Sequence, residues 1–191
     1  MNILGIYASP RKGGNTDLLL TELLTAAREA GADTEAVFTR NLSVSGCLEC
    51  GGCDDTGRCV INDEMEAVYP KLAAADSVIL ASPVFFYNVP ARAKALIDRS
   101  QALWAARRLA TVDGKMPPLK GQGWMIGVGA TRGSNLFVGM ELTAKYFFDA
   151  LGMGYGGGLL YWKVEEKGAI LAHPEAMDQA RELGRKIARG E

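Results

Sequence analysis

The stretch of sequence that decides the fold is NILGIYASPRKGGNT, residues 2–16. Its apolar half, residues 2–8, is short and continuous, which predicts a buried strand of a parallel sheet. A helical pattern begins at Thr16, soon after Gly13 and Gly14. Glycines let the backbone approach a ligand closely, and a helix start offers free N–H groups and a positive dipole end. The loop between strand and helix therefore predicts a binding site for an anion.

Strand and helix patterns alternate along the rest of the chain. Further strands are predicted at residues 34–39, 77–82, 124–129 and about 158–164. Helices are predicted at residues 16–30, 63–74, 89–109, 135–151 and 174–189. Five such alternations indicate an α/β fold: one open parallel sheet, helices on both faces, and a ligand at the carboxyl ends of the strands. We expect a single domain over residues 1–191, with a cysteine-rich insertion at about 42–62.

Composition and charge exclude several classes of protein. The 191 residues are 48% apolar, enough for one sizeable core. Basic and acidic residues number 21 and 22, so no basic stripe favours nucleic acid or an anionic membrane as a partner. The first apolar run lacks a preceding basic flank, and later runs are too short to span a bilayer, so a cytoplasmic protein is expected. With His173 as the only histidine, most Ser/His/Asp and Cys/His mechanisms are excluded.

The first loop offers groups suited to a phosphate. Ser9, Asn15 and Thr16 supply side-chain donors, and Arg11 and Lys12 supply positive charge. Neither G-x-x-x-x-G-K-[ST] nor G-x-G-x-x-G follows the first strand, which disfavours a P-loop nucleotidase and an NAD-binding Rossmann domain. An ordinary strand-to-helix turn with a polar cap is the alternative.

Two further loops follow the third and fourth predicted strands, at the same edge of the sheet. The first, SPVFFYNVP at residues 82–90, offers aromatic and apolar surface to a flat ring. The second, GATRG at residues 129–133, offers close backbone approach and another helix start. Three successive large aromatic residues, Phe85, Phe86 and Tyr87, cannot all face inward from a turn. We therefore expect at least one of them to line a pocket, with core packing as the alternative.

Together these segments resemble the NADPH-dependent FMN reductase branch of the flavodoxin-like superfamily. The similar stretches are ASPRKGGNT at 8–16, SPVFFYNVPA at 82–91, KALIDR at 94–99 and YFFDALG at 146–152. The resemblance implies a three-layer flavodoxin-like fold with strand order 2-1-3-4-5. It also implies a non-covalent FMN whose reactive atom is flavin N5, so that no protein residue is named as a general base. A homodimer or homotetramer is implied as well.

The resemblance further implies which residues contact FMN. Its phosphate would lie in the first loop, against Ser9, Arg11, Lys12, Asn15 and Thr16. One side of its ring would meet Pro83, Val84, Phe85, Phe86, Tyr87 and Asn88. The other side would meet Ala130, Thr131, Arg132 and Gly133.

Four cysteines fall within thirteen residues, with the spacing C-x2-C-x2-C-x5-C: Cys47, Cys50, Cys53 and Cys59. A reducing cytosol argues against a disulfide set, and structural zinc usually uses two separated C-x2-C pairs. The compact run is typical of ferredoxins, although Val60 replaces the proline that completes their signature. The spacing resembles that of iron–sulfur flavoproteins, which implies a [4Fe–4S] cluster near FMN. Zinc, disulfide cycling and thiols that bind nothing remain the alternatives.

Three functions are consistent with these features, and the first two are FMN-dependent oxidoreductases. An iron–sulfur flavoprotein would relay electrons from a ferredoxin-like donor through the cluster to FMN and on to a small-molecule acceptor. A cluster-free reductase would use NAD(P)H to reduce FMN or a quinone. A flavodoxin-type electron carrier is disfavoured, because such carriers usually present a strongly acidic docking face, whereas this chain has balanced charge.

Overall fold

The five predicted strands form one parallel sheet in a computed structural model that describes residues 1–191. The strands are β1 Asn2–Tyr7, β2 Asp33–Phe38, β3 Ser77–Pro83, β4 Gly121–Val128 and β5 Met153–Tyr161. Their order in the sheet is β2-β1-β3-β4-β5, which confirms the predicted flavodoxin-like order. The helices are α1 Asn15–Glu29, α2 Tyr69–Ala74, α3 Ala91–Arg99, α4 Gln101–Leu109, α5 Val138–Ala150 and α6 Ala176–Ala188.

The sheet separates two apolar cores, because alternate side chains of a strand point to opposite faces. In β1, Leu4 and Ile6 join the core shared with α2, α3 and α5. Ile3 and Tyr7 join the other core, which is shared with α1 and α6. The predicted three-layer arrangement is therefore present. None of the six helices combines the length and the apolar character needed to cross a lipid bilayer.

The prediction of a single helix at residues 89–109 is wrong, because the chain forms two helices there, α3 and α4, which meet at Ser100. Ser100 is both the C-cap residue of α3 and the N-cap residue of α4. Its hydroxyl donates to the carbonyl oxygen of Leu96 at 3.1 Å, and its own N–H approaches the same oxygen at 3.2 Å. A serine that bonds back to the carbonyl four residues earlier competes with the helical pattern and bends the chain.

The helix predicted at residues 63–74 also divides in two. A 3-10 turn covers Glu64–Ala67, and α2 then begins at Tyr69 with Pro70 in its first turn. Proline has no N–H to donate and fits a helix only near its start, so the chain begins a new helix there.

The fifth strand begins five residues earlier than predicted, because it includes a glycine run that the sequence pattern excluded. A Cβ atom on Gly158 would lie 2.1 Å from the carbonyl oxygen of Met125 in β4. A Cβ atom on Gly156 would lie 2.7 Å from the ring of Trp124. The pairing of β4 with β5 shifts register between Gly123 and Met125. The glycines therefore belong to the strand, since only they permit this close approach.

Candidate functional site

A cavity of about 230 Å3 lies where the carboxyl ends of β1, β3 and β4 meet. All three predicted loops contribute to it. The predicted residues that line it are Ser9, Arg11, Asn15, Thr16, Pro83, Val84, Phe85 and Ala130. The predicted residues outside its lining are Lys12, Phe86, Tyr87, Asn88, Thr131, Arg132 and Gly133. The lining also includes residues that the sequence analysis did not select: Pro10, Gly14, Val128, Gly129, Val164 and Glu165.

The first loop folds tightly upon itself before α1 begins. The Arg11 N–H donates to Ser9 Oγ at 3.1 Å, and the Gly14 N–H donates to the Arg11 carbonyl at 3.1 Å. A Cβ atom on Gly14 would lie 3.1 Å from that same carbonyl oxygen. Gly14 is also the cap residue of α1, and no side chain caps this helix start. The amino end of α1 is therefore open to a ligand, and Gly14 leaves room for the close approach of the Arg11 carbonyl.

An ion pair whose side chains are only 14% and 7% exposed holds this loop in place. Arg40, which follows β2, lies 3.0 Å from Asp17 and donates to the Ser9 carbonyl at 3.2 Å. Asp17 in turn accepts from the Gly13 N–H at 2.9 Å. Burial raises the pKa of the Asp17 carboxyl, although the Gly13 hydrogen bond and Arg40 oppose this effect. Asp17 and Arg40 therefore shape the loop rather than contact its ligand.

Asn15 lines the cavity, but its side chain is engaged elsewhere. Its amide Nδ2 donates to the Glu166 carbonyl at 2.9 Å. Its Oδ1 accepts from the N–H groups of Gly168 at 2.9 Å and Ile170 at 3.3 Å. The residue selected as a phosphate donor therefore ties α1 to the segment that follows β5.

The second loop is a tight turn in which Phe85 and Asn88 exchange backbone hydrogen bonds of 2.8 and 2.9 Å. Its two central residues, Phe86 and Tyr87, both have positive φ angles, of 49° and 61°. Such angles are rare for bulky residues and indicate local strain. Phe85 lines the cavity, whereas the Phe86 side chain is fully exposed.

Asn88 anchors this turn to the rest of the protein. Its Nδ2 donates to the hydroxyl of Thr143 in α5 at 3.1 Å, and its Oδ1 accepts from the Val89 N–H at 2.8 Å. The side chain predicted to contact a ring is therefore used to hold the strained turn against α5.

The third loop packs against the segment after β5 through its backbone. The Thr131 carbonyl accepts from the Lys163 N–H, and the Gly133 carbonyl accepts from Trp162 Nε1, each at 3.3 Å. Arg132 is exposed and makes no ion pair. This loop therefore forms one wall of the cavity by main chain and small side chains.

The four cysteines line a second cavity, of about 520 Å3. Cys47 and Cys50 are exposed, Cys53 and Cys59 are half-buried, and none forms a disulfide. Desolvation raises the pKa of the Cys53 thiol, and the charges of Asp54, Cys59 and Cys47 raise it further. No three histidine, cysteine, aspartate or glutamate side chains converge at a spacing that would hold a metal ion. The thiols thus share one cavity without forming a closed ligand set.

A buried arginine fixes both ends of the cysteine segment. Arg99, the last residue of α3, is 1% exposed. Its guanidinium donates to the Ser45 carbonyl at 3.2 Å and to the Ile61 carbonyl at 3.1 Å. It also forms an ion pair with Asp63 at 2.7 Å. Ser45 lies two residues before the first cysteine, and Ile61 lies two residues after the last one. Arg99 therefore fixes the distance between the two ends of the cysteine segment.

Comparison with known proteins identifies the family. The family model described as NADPH-dependent FMN reductase matches residues 1–142. An iron–sulfur flavoprotein of Methanosarcina thermophila is 47% identical over 103 residues, 54% of this chain and 54% of that protein. An iron–sulfur flavoprotein of Methanocaldococcus jannaschii is 30% identical over 159 residues, 83% of this chain and 76% of that protein. The chain spans about half the length of several curated relatives that it matches.

Solved structures agree on the fold. A flavone reductase superposes with a TM-score of 0.72 at 19% identity, covering 99% of this chain and 62% of its own. An NAD(P)H:quinone oxidoreductase from Methanothermobacter marburgensis gives 0.71 at 14% identity, covering 98% and 96%. Because the family model matches residues 1–142, well over half of the chain, this chain belongs to the NADPH-dependent FMN reductase family.

Proposed function

We propose that this chain is an FMN-dependent oxidoreductase that uses its four cysteines to hold a [4Fe–4S] cluster. The observation that carries the proposal is the cavity at the sheet edge, where three loops and an uncapped helix start converge. In open α/β sheets, ligands bind at this edge, and a helix start suits a phosphate. Bound FMN would supply hydride or electron acceptance at N5.

The size of the cavity indicates which part of FMN it receives. Its volume of about 230 Å3 is below the range of roughly 300–1,000 Å3 that is usual for ligand pockets. We therefore assign it to the phosphate and the chain beside it, and the ring to the surface between Phe85 and Ala130. The exposed Phe86 and Tyr87 lie beside that surface, where they would shield the ring from water.

The cysteine segment has the ligand atoms and the cavity volume that a cluster requires. Iron–sulfur clusters are held by cysteine thiolates, and four thiols line one cavity of about 520 Å3. Gly51 has a φ of 70°, and a Cβ atom on Gly52 would lie 2.6 Å from Val60, so both glycines serve a tightly wrapped loop. Cys47, Cys50, Cys53 and Cys59 would hold the cluster once the loop draws them together.

In this proposal, the four cysteines would hold the cluster that receives electrons from a ferredoxin-like donor, and the cavity residues would hold the FMN that supplies them to a small-molecule acceptor. The names of the archaeal relatives support the cluster. The second candidate is a cluster-free reductase that oxidises NAD(P)H, and the family description favours it. For both candidates we propose a location in the cytoplasm.

Iron and acid-labile sulfide per FMN, measured on protein purified without oxygen, test the proposal. About four of each per FMN are expected for a [4Fe–4S] protein. Replacing Cys47, Cys50, Cys53 and Cys59 together by serine should remove the iron and leave FMN bound. FMN without iron in the unaltered chain, together with NAD(P)H oxidation that survives the serine variant, would favour the cluster-free reductase. Absence of FMN would overturn both candidates.

A further inference from the structure

The segment after β5 is held against the first loop by a single side chain. The three hydrogen bonds of Asn15 reach the backbone of Glu166, Gly168 and Ile170. These bonds use three of the four hydrogen-bonding positions of one amide group to join residues more than 150 positions apart. The turn that contains residue 167 is therefore fixed in place beside the amino end of α1.

This arrangement brings the Lys167 ammonium to the first loop. A Cβ atom built on Gly13 would lie 3.7 Å from Cε and 3.8 Å from Nζ of Lys167. Lys167 makes no ion pair, and its only close acidic neighbour on α1, Asp17, is already paired with Arg40 at 3.0 Å. Glu165, two residues earlier, lines the cavity itself. Lys167 is therefore an exposed lysine without an ion pair; it flanks the first loop at Gly13, next to the uncapped start of α1 and just outside the lining of the 230 Å3 cavity.

We propose that Lys167 is a phosphate-binding residue of the flavin site and that it makes the site prefer FMN over riboflavin. This assignment rests on the proposed function. An ammonium is a suitable partner for a phosphate dianion, and it adds to the attraction of the helix dipole. Asn15 acts through Lys167 as a positioning residue. Asn15 was predicted to donate to the phosphate itself. In this assignment Lys167 is the donor, and Asn15 holds the turn that carries it.

Paired binding measurements test the assignment. The dissociation constants of FMN and of riboflavin are measured by flavin fluorescence at low salt, on the apoprotein of the full chain. In K167Q the FMN dissociation constant should rise about three- to tenfold, a modest effect because the side chain is exposed. The riboflavin constant should stay unchanged. N15A should weaken FMN in the same sense, because residue 167 is no longer held.

The matched control is K115Q. Lys115 is also exposed and free of ion pairs, but it lies on the connection that leads into the amino end of β4. Equal FMN affinities in K167Q and K115Q would overturn the assignment, as would an equal loss for FMN and riboflavin. Failure of the unaltered chain to bind either flavin would instead overturn the proposed function, and the assignment with it.

Discussion

Arg99 is the only lysine or arginine among the buried residues. Withdrawing a guanidinium from water is costly, and its hydrogen bonds offset that cost only when they are nearly complete. Here the bonds go to Asp63 and to the carbonyls of Ser45 and Ile61, while Nε has no partner. The buried charge therefore makes the position of the cysteine segment depend on α3.

Replacing Arg99 by methionine should lower the free energy of unfolding by about 3 kcal/mol, because it leaves Asp63 without its partner. Denaturant unfolding at neutral pH measures the change. Arg58 lies in the same segment but is exposed and makes no ion pair, so R58M is the matched control. Equal stabilities for R99M and R58M would show that Arg99 does not hold the segment.

The Asp63 carboxyl gives this pair a pH dependence. Partial burial alone would raise its pKa, but hydrogen bonds from Arg99, Ser45 and Met65 lower the pKa to about 2. A carboxyl whose folded pKa is depressed contributes stability above its unfolded pKa, about 3.9, and loses it as the pH falls. The unaltered chain should lose stability between about pH 4 and pH 2. D63N should be less stable at pH 7 and should not show the part of the acid destabilisation that is due to Asp63. If the free energy of unfolding fell in parallel with pH in D63N and in the unaltered chain, the assignment to Asp63 would be contradicted.

At the scale of structural elements, two turns in this protein share one geometry with different residues. Residues 113–114, Asp-Gly, have φ angles of 51° and 73° between the bridged residues Val112 and Lys115. Residues 86–87, Phe-Tyr, adopt similar positive angles between Phe85 and Asn88. Asp-Gly suits such a turn, whereas two aromatic residues do not. The aromatic turn therefore has a cost in stability that the fold itself does not require.

Replacing Phe86 by asparagine and Tyr87 by glycine should relieve this strain. We expect the double variant to be more stable by about 1–2 kcal/mol, since Asn-Gly is favoured where both φ angles are positive. It should also bind FMN more weakly, because the aromatic surface beside the ring is lost. Thermal unfolding of the apoprotein and FMN titration measure the two effects. As a control, D113N should change neither quantity appreciably, since asparagine also suits the turn at residues 113–114. A double variant that is less stable than the unaltered chain would contradict the claim that the aromatic turn is strained.

Elements with strong periodicity were predictable from the sequence to within one or two residues. The strand β1 and the helices α1 and α6 are of this kind. The start of β5 was not predictable, because its glycines are required by contacts with Trp124 and Met125 across the sheet. Val164 and Glu165 were not predicted as cavity residues, because they become neighbours of the first loop only through the fold of the whole chain. No local pattern shows that the chain returns to the first loop after its last strand.

At the scale of the whole molecule, one helix presents an apolar ridge to the outside. Val138, Leu142 and Tyr146 of α5 are exposed by 46%, 51% and 76% and lie four residues apart, on one side of the helix. Leu142 and Tyr146 also form one wall of a groove of about 390 Å3, whose other wall comes from α3 and the start of α4. A ridge next to a groove suits a two-fold interface, in which each copy fills the groove of the other. We propose a second copy of this chain as the occupant.

Replacing Leu142 by aspartate should therefore shift a homodimer towards the monomer, since a charge would be buried in the centre of the interface. Sedimentation equilibrium of the unaltered chain and of L142D measures the change. Leu171 is exposed by 60% but lies away from α5, so L171D is the control. A monomeric unaltered chain, or equal association of both variants, would contradict an interface on α5.

The packing of α1 against α6 has a consequence for synthesis of the protein. Leu23 of α1 lies directly beneath Gly184 of α6: a Cβ atom on Gly184 would lie 2.2 Å from the Leu23 carbonyl oxygen. The two helices are separated by residues 30–175, about three quarters of the chain. At translation rates of about 5–20 residues per second, α1 waits roughly ten to thirty seconds for this partner to leave the ribosome. During that time the side of α1 that α6 will cover is open to chaperones and to other nascent chains, so errors in folding should begin at the first helix.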